Sequence, residues 1–234
     1  KEPASKRRKV SRDPAKQLVL DGRSIANKTL QEQADFLTKA MSHHLPTMQS
    51  RHQITFEPKQ FCKSSSVEGH PSSFLSFLKS SVTSMKRLKK HKKIGSPLVL
   101  VVCVSARRAV SLLKEVAPLK VRAAKLFAKH MTMEEQNEVL QRGPFGLAVG
   151  TPHRLLQLMG CSDDEAEDQE VSTQDSSPAL SLRDTELLIV DNHNSHKGFT
   201  VCTLNDTAKH CMTLLRQAVG KRSDVKQNIK IALF

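Results

Sequence analysis

Tryptophan and tyrosine are absent, and the aromatic hydrocarbon side chains are nine Phe. That disfavours a single-strand binder built on successive bases stacked against aromatic faces. The five cysteines, at 62, 103, 161, 202 and 211, contain no Cys-x-x-Cys pair. This spacing argues against a zinc module or a disulfide scaffold and for reduced thiols inside the cell. His43 and His44 are adjacent, and His193 and His196 flank a stretch beside Asp191; with no cysteine pair and no helix to align them, no metal is expected. No apolar run approaches the roughly 18 residues that a bilayer span needs, so no membrane partner is expected. No secretory signal is visible, and because the sequence starts at Lys1 rather than Met an upstream segment is expected.

Acidic residues are also scarce, 23 against 37 Lys and Arg, for a net charge of +14. Six of the acidic residues are crowded into "DDEAEDQE", residues 163–170, and without these six the remainder stands at +20. Such an excess suits a polyanion better than a small neutral substrate. Residues 1–16, "KEPASKRRKVSRDPAK", hold seven basic and two acidic residues, with too little apolar surface to fold alone. Within them Lys6, Arg7, Arg8 and Lys9 form a nuclear-import-like run that also suits an RNA groove. We assign residues 1–28 to a basic tail and 29–234 to one domain, interrupted at 161–179 by an acidic, Ser-rich insertion without a core pattern. Ser162, ahead of the acidic run, suits an acid-directed kinase.

Helical spacing is seen at Leu30, Ala34, Leu37, Met41 and Leu45, ending at Pro46. Residues 51–63 come close to alternation at Ile54, Phe56 and Phe61 but stay ambiguous. A second stripe, Phe74, Leu78, Val82, Met85 and Leu88, predicts one helix with Pro71 in its first turn. "PLVLVVCV" at 97–104 and "TELLIVD" at 185–191 are continuous apolar runs of the kind buried on both sheet faces. Strands are also expected near Ala124–Phe127, at Phe145–Val149 and in the terminal "NIKIALF". Helices are expected at Arg107–Val116, through a face of Val110, Leu113 and Val116, after a Thr132 cap, at Pro152–Met159 and at Thr207–Val219. Buried strands alternating with helices imply parallel βαβ units and a doubly wound α/β sheet.

Three stretches in this order resemble DEAD-box RNA helicases. Ser105-Ala106-Arg107-Arg108-Ala109 stands where that family has Pro-Thr-Arg-Glu-Leu-Ala, and Gly150-Thr151-Pro152-His153-Arg154 contains its Thr-Pro-Gly-Arg motif with His153 for the glycine. Ile189-Val190-Asp191-Asn192-His193-Asn194 occupies the place of Asp-Glu-Ala-Asp, and "IKIALF" resembles the strand before Ser-Ala-Thr. The resemblance covers residues 60–234 and implies a single RecA-like lobe. It also implies RNA-phosphate contacts at Arg107, Arg108, Thr151, His153 and Arg154, with Lys129 and His130 standing where a glycine pair approaches RNA. A helix start offers free N–H groups and a positive dipole end to such phosphates. The basic run Lys86, Arg87, Lys89 and Lys90 adds a further phosphate-binding candidate.

The ATP-driven half is depleted. "KSSSVEGHPSSFLSFL" at 63–78 keeps Gly69 but lacks the Lys-Ser/Thr pair of a phosphate-cradling loop. Asn192 replaces a glutamate, and an amide cannot accept a proton as a general base at neutral pH. We therefore expect no enzyme and no cofactor.

A more specific likeness is carried by "KLFAKHMTMEEQ", "LAVGTPHRLLQL", "VVCVSARRA" and the Leu-Phe end. These resemble the Cms-type family of U3-containing 90S pre-ribosomal complex subunits, over nearly the whole chain after residue 30. The resemblance implies a nuclear, nucleolar, non-catalytic scaffold of the small-subunit processome, with ribosomal RNA precursor or U3 snoRNA and processome proteins as partners. Two alternatives stand beside it: a divergent ATP-dependent helicase lobe, and a protein-interaction module without RNA binding.

Overall fold

The computed structural model describes residues 25–46, 54–62, 73–129, 131–161, 178–193, 198–220 and 228–234. Its centre is a five-stranded, all-parallel sheet built from Val99–Val102 (β1), Ala123–Leu126 (β2), Leu147–Gly150 (β3), Leu187–Val190 (β4) and Lys230–Leu233 (β5). The spatial order is β2-β3-β1-β4-β5. Val99 registers with Leu147 on one side and Leu187 on the other. β1, β3 and β4 are buried at every position, because helices cover both sheet faces and leave no polar side for alternation to mark.

The helices are Leu30–His44 (α1), Phe74–Ser81 (α2), Met85–Lys89 (α3), Ala106–Val116 (α4), Met133–Gln141 (α5), Pro152–Leu158 (α6) and Asn205–Val219 (α7). Strand alternation divides the apolar interior into two layers. Leu100, Val102, Ala148, Leu188 and Val190 meet α1, α6 and α7 on one face. On the other, Val99, Val101, Leu147, Val149 and Ile189 meet α2, α3 and α4. This α/β architecture fits a single RecA-like lobe.

The helix starts are written in local chemistry. Thr29 with Glu32 and Thr132 with Glu135 form reciprocal capping boxes, and Ser73, Ser84 and Ser105 accept N–H groups at the starts of α2, α3 and α4. Each such cap contributes about 1 kcal/mol. Ile25 and Ala26 are buried ahead of α1, and Gln33 donates to the carbonyls of Ala26 and Lys28; packing thus begins a few residues before Thr29.

Three local expectations are corrected. The stripe Phe74–Leu88 is two helices rather than one: Val82 is extended and closes α2, and Ser84 recaps the chain as α3. A β-branched residue and a cap-forming serine together outweigh the periodicity. The inner face of α4 is Ala109, Leu112 and Val116, while Val110 is 38% exposed; the small Ala109 carries a weaker apolar signal than the bulkier valine beside it. Residues 54–62, left ambiguous by their pattern, contain a 3-10 turn at Pro58–Gln60 and one parallel bridge from Phe61 to Ile231 of β5. Pro71, Gly69 and nearly all of the acidic insertion lie outside the described residues. Among the described residues no helix is long and apolar enough to cross a membrane.

Candidate nucleic-acid interface

Parallel strands bring the segments that follow them to one edge of the sheet. Arg107 and Arg108 follow β1, Lys129 follows β2, Thr151, His153 and Arg154 follow β3, and Asp191 follows β4. Loops leaving the carboxyl ends of parallel strands are where open α/β sheets bind ligands, above all where neighbouring connections diverge. Here that divergence lies between β1, whose chain turns toward β2, and β4, whose chain turns toward β5.

The crevice at that point is occupied from within. Arg108 donates Nε to Asp191 Oδ2 and Nη2 to Asp191 Oδ1, both at 2.8 Å. Asp191 is fully buried and the Arg108 side chain is 15% exposed. Burial pushes the Asp191 carboxyl above the usual range, against the pull of Arg108. Burial also works against the Arg108 guanidinium, but the bonds to Asp191 outweigh it and hold its pKa above the ordinary value. The forked geometry decides for an ionised pair, since a neutral carboxyl would present a hydroxyl to a group that can only donate. Arg108 also lies over the Phe234 ring at 5.9 Å. Burial, with the nearby Asp191 charge, pushes the Cys103 thiol up to about 12. The sequence motif placed Arg108 among the phosphate ligands, but its fork is committed to Asp191. Exposed Arg107 is the outward-facing arginine of that pair.

At the neighbouring turn β3 ends in Gly150, and a Cβ there would strike the Leu126 carbonyl. The Thr151 N–H donates to that same carbonyl at 3.1 Å, and Thr151 makes no side-chain cap bond. Pro152 opens α6, where its missing N–H costs nothing. His153 points outward and its ring lies 4.9 Å from that of His210 on α7.

Arg154 is 8% exposed, and its Nε and Nη1 are buried without a hydrogen-bond partner. A guanidinium in that state is costly. The electrostatic influence of Glu134, a fully exposed neighbour, leaves those two nitrogens unbonded. Arg154 thus lies recessed beside the Thr151 turn, with Arg107 and Lys129 exposed on the same edge.

Lys86, Arg87, Lys89 and Lys90 are not part of this edge. They lie on and just after α3, beside the residues that enter β1 and β4, at the amino ends of the strands. His130 and the import-like run Lys6, Arg7, Arg8 and Lys9 lie outside the described residues. Sequence reading missed Arg183, which the fold sets beside the Lys86–Lys93 run; its position after an acidic break carried no signal. Among the described residues no group of three His, Cys, Asp or Glu side chains is placed to hold a metal ion.

Protein CMS1 of Chaetomium thermophilum is 28% identical over 222 residues, covering 92% of this chain and 80% of that protein. Protein CMSS1 of Xenopus laevis is 30% identical over 163 residues, 68% of this chain but 53% of its own length. Protein CMSS1 of Danio rerio is 42% identical over 76 residues, 32% of this chain and 26% of that protein. The chain thus spans only part of the vertebrate relatives it matches. The family model described as CMS1, U3-containing 90S pre-ribosomal complex subunit, matches residues 4–234, and the chain belongs to that family.

Proposed function

We propose that this chain is a non-catalytic RNA-binding subunit of the early small-subunit assembly machinery, holding a phosphodiester backbone at the carboxyl edge of its sheet. The family name supplies the setting, a 90S pre-ribosomal complex in ribosome biogenesis. Ribosomal RNA precursor or U3 snoRNA is the RNA partner in this reading, processome proteins are the neighbours, and the nucleolus is the compartment.

The observation that carries the reading is Arg154, a recessed guanidinium with two nitrogens unbonded beside Thr151. Turned outward, the Arg154 guanidinium would exchange its unbonded burial for charge-assisted hydrogen bonds to a phosphate oxygen. Arg107 and Lys129 add outlying charge on the same edge. The non-catalytic part of the reading is supported by the Arg108–Asp191 fork. In the helicase resemblance Asp191 stands at an acidic motif serving ATP hydrolysis, and here both its oxygens are engaged by the chain's own arginine. Asn192 beside it is an amide, unable to act as a base.

The test is RNA affinity measured against salt. For single strands the slope of log affinity on log salt is about −0.7 per phosphate contacted. The reading expects a clearly negative slope that shrinks in Arg154→Met and Arg107→Gln, with no RNA-stimulated ATP turnover. A flat slope would remove RNA from the reading, and ATP turnover stimulated by RNA would put the helicase alternative in its place.

A further inference from the structure

We propose that the amino edge of the sheet carries a second RNA-binding site, so that one chain ties together two separate stretches of RNA. This rests on the reading above for the nature of the ligand, but on different residues for the site.

A cavity of about 450 Å³ opens at that edge, lined by Lys86, Arg87, Lys90, Lys92, Lys93 and Arg183. Two acidic residues, Asp184 and Glu186, share the lining. Glu186 is engaged by Arg87, whose Nη1 and Nη2 reach its two carboxylate oxygens at 3.2 and 2.5 Å. Six basic residues against two acidic ones leave a strong positive surplus. With its fork occupied by Glu186, Arg87 leaves mainly ammonium groups to meet a ligand. Ammonium groups act as point charges, which suits a phosphate backbone held without regard to sequence.

The basic run is pinned, unlike a solvated loop. Leu88 is fully buried and anchors α3 from below. His91 Nε2 meets the Ser96 carbonyl at 2.6 Å, and Ile94 bridges Pro144. The segment bearing Arg183 is bound to the same loop: Ser181 N–H donates to Gly95 at 2.8 Å, Asp184 N–H to Ser96 Oγ at 2.8 Å and Thr185 Oγ1 to Pro97 at 2.7 Å. Two distant parts of the sequence are thus locked around one positively lined hollow. Cavities in this size range accept whole small ligands, so the hollow has room for more than a lone phosphate.

The two candidate edges are separated by the length of the strands. Four residues at about 3.3 Å each span about 13 Å, with buried sheet and helices between. One short single strand cannot lie on both edges without passing round the outside of the lobe.

The experiment uses the full chain and a single-stranded oligouridine of about ten nucleotides. One copy of the RNA is immobilised and a labelled copy is offered in solution with the protein. The comparison is among wild type, the amino-edge variant Lys90→Glu/Lys93→Glu/Arg183→Glu and the carboxyl-edge variant Arg107→Glu/Arg154→Met. All three amino-edge positions are exposed, and an unchanged melting temperature checks that the fold is kept. Wild type is expected to bind two oligonucleotides and to retain the label. The amino-edge variant is expected to bind one, to lose retention, and to show a salt slope on long RNA reduced by about 2. The carboxyl-edge variant is also expected to bind one and lose retention. An amino-edge variant that still binds two overturns the second site while leaving the first intact, the outcome expected if the hollow serves an acidic protein segment instead. A carboxyl-edge variant that behaves as wild type, beside an amino-edge variant that binds nothing, overturns both the bridge and the reading of the first edge.

Discussion

Arg108 and Asp191, 83 residues apart in sequence, hold each other by two parallel hydrogen bonds of 2.8 Å in the crevice between β1 and β4. Truncating Arg108 to Ala leaves a fully buried carboxylate without its partner. The expected cost is about 3 kcal/mol, or roughly 10 °C in melting temperature for a domain of this size. A double change to Arg108→Met/Asp191→Leu removes both charges together and should recover most of that loss. Thermal melts of the single and double variants check this, and equal losses in both would contradict a role for the ion pair.

Arg154 should behave in the opposite way. Its Nε and Nη1 are buried and unbonded, so Arg154→Met removes an uncompensated polar group from the free protein. We expect stability to rise by about 1 kcal/mol while RNA affinity falls, the pattern of a binding group kept at the expense of the fold. Melting and RNA titration on the same sample read both effects. A variant that loses both stability and binding would make Arg154 a structural residue.

The Gly150→Ala exchange should destabilise without altering any charge. The added methyl would meet the Leu126 carbonyl and lie 2.8 Å from Leu155 Cδ2. Overpacking of this kind costs about 2 kcal/mol, measurable by urea unfolding.

His44 supplies a pH dependence. Burial, reinforced by neighbouring His43, lowers its pKa below the ordinary 6.5. The unfolded chain therefore binds more protons in the window below pH 6.5, and stability rises with pH there. The contribution of His44 is present above 6.5 and is lost as the pH falls through its lowered folded value. Melting temperatures taken from about pH 8 down to about pH 5 should decline, and His44→Gln should flatten part of that decline.

Thiol chemistry should separate Cys62 from the others. Cys62 is half-buried, whereas Cys103, Cys161, Cys202 and Cys211 are buried. Burial raises Cys103 to about 12, and Cys211 is raised well above the ordinary range, chiefly by its hydrogen bond with Cys202 and then by burial. Labelling of the native protein should modify Cys62 first and reach the buried four only in denaturant, as mass spectrometry of the peptides would record.

The strands were legible because Val99–Val102 and Leu187–Val190 are unbroken apolar runs, and a parallel sheet covered on both faces needs such runs. The start of α5 was legible because Thr132 and its capping are local chemistry. That Arg107, Lys129, Thr151 and Arg154 share one edge was legible through motif order, since parallel strands bring the segments that follow them together. The division between α2 and α3 was hidden because one apolar stripe runs through both. What sequence concealed more deeply was direction: Arg107 and Arg108 are adjacent letters, yet one is exposed and the other engages Asp191. Arg183 was hidden for a different reason, its neighbours coming from the segment before β1, about ninety residues away in sequence.

The bridge from Phe61 to β5 has a bearing on self-assembly. Cys62 N–H donates to the Ile231 carbonyl at 2.7 Å, so backbone from elsewhere in the chain already meets the outer margin of β5. At the opposite margin β2 is flanked by no further strand among the described residues, and Lys125 stands exposed there. Among the described residues β2 is the margin without such a neighbour, and a lysine there discourages recruitment of a foreign strand. Two copies joining through β2 would bring the Lys125 of each to the seam, and that like-charge encounter opposes the pairing.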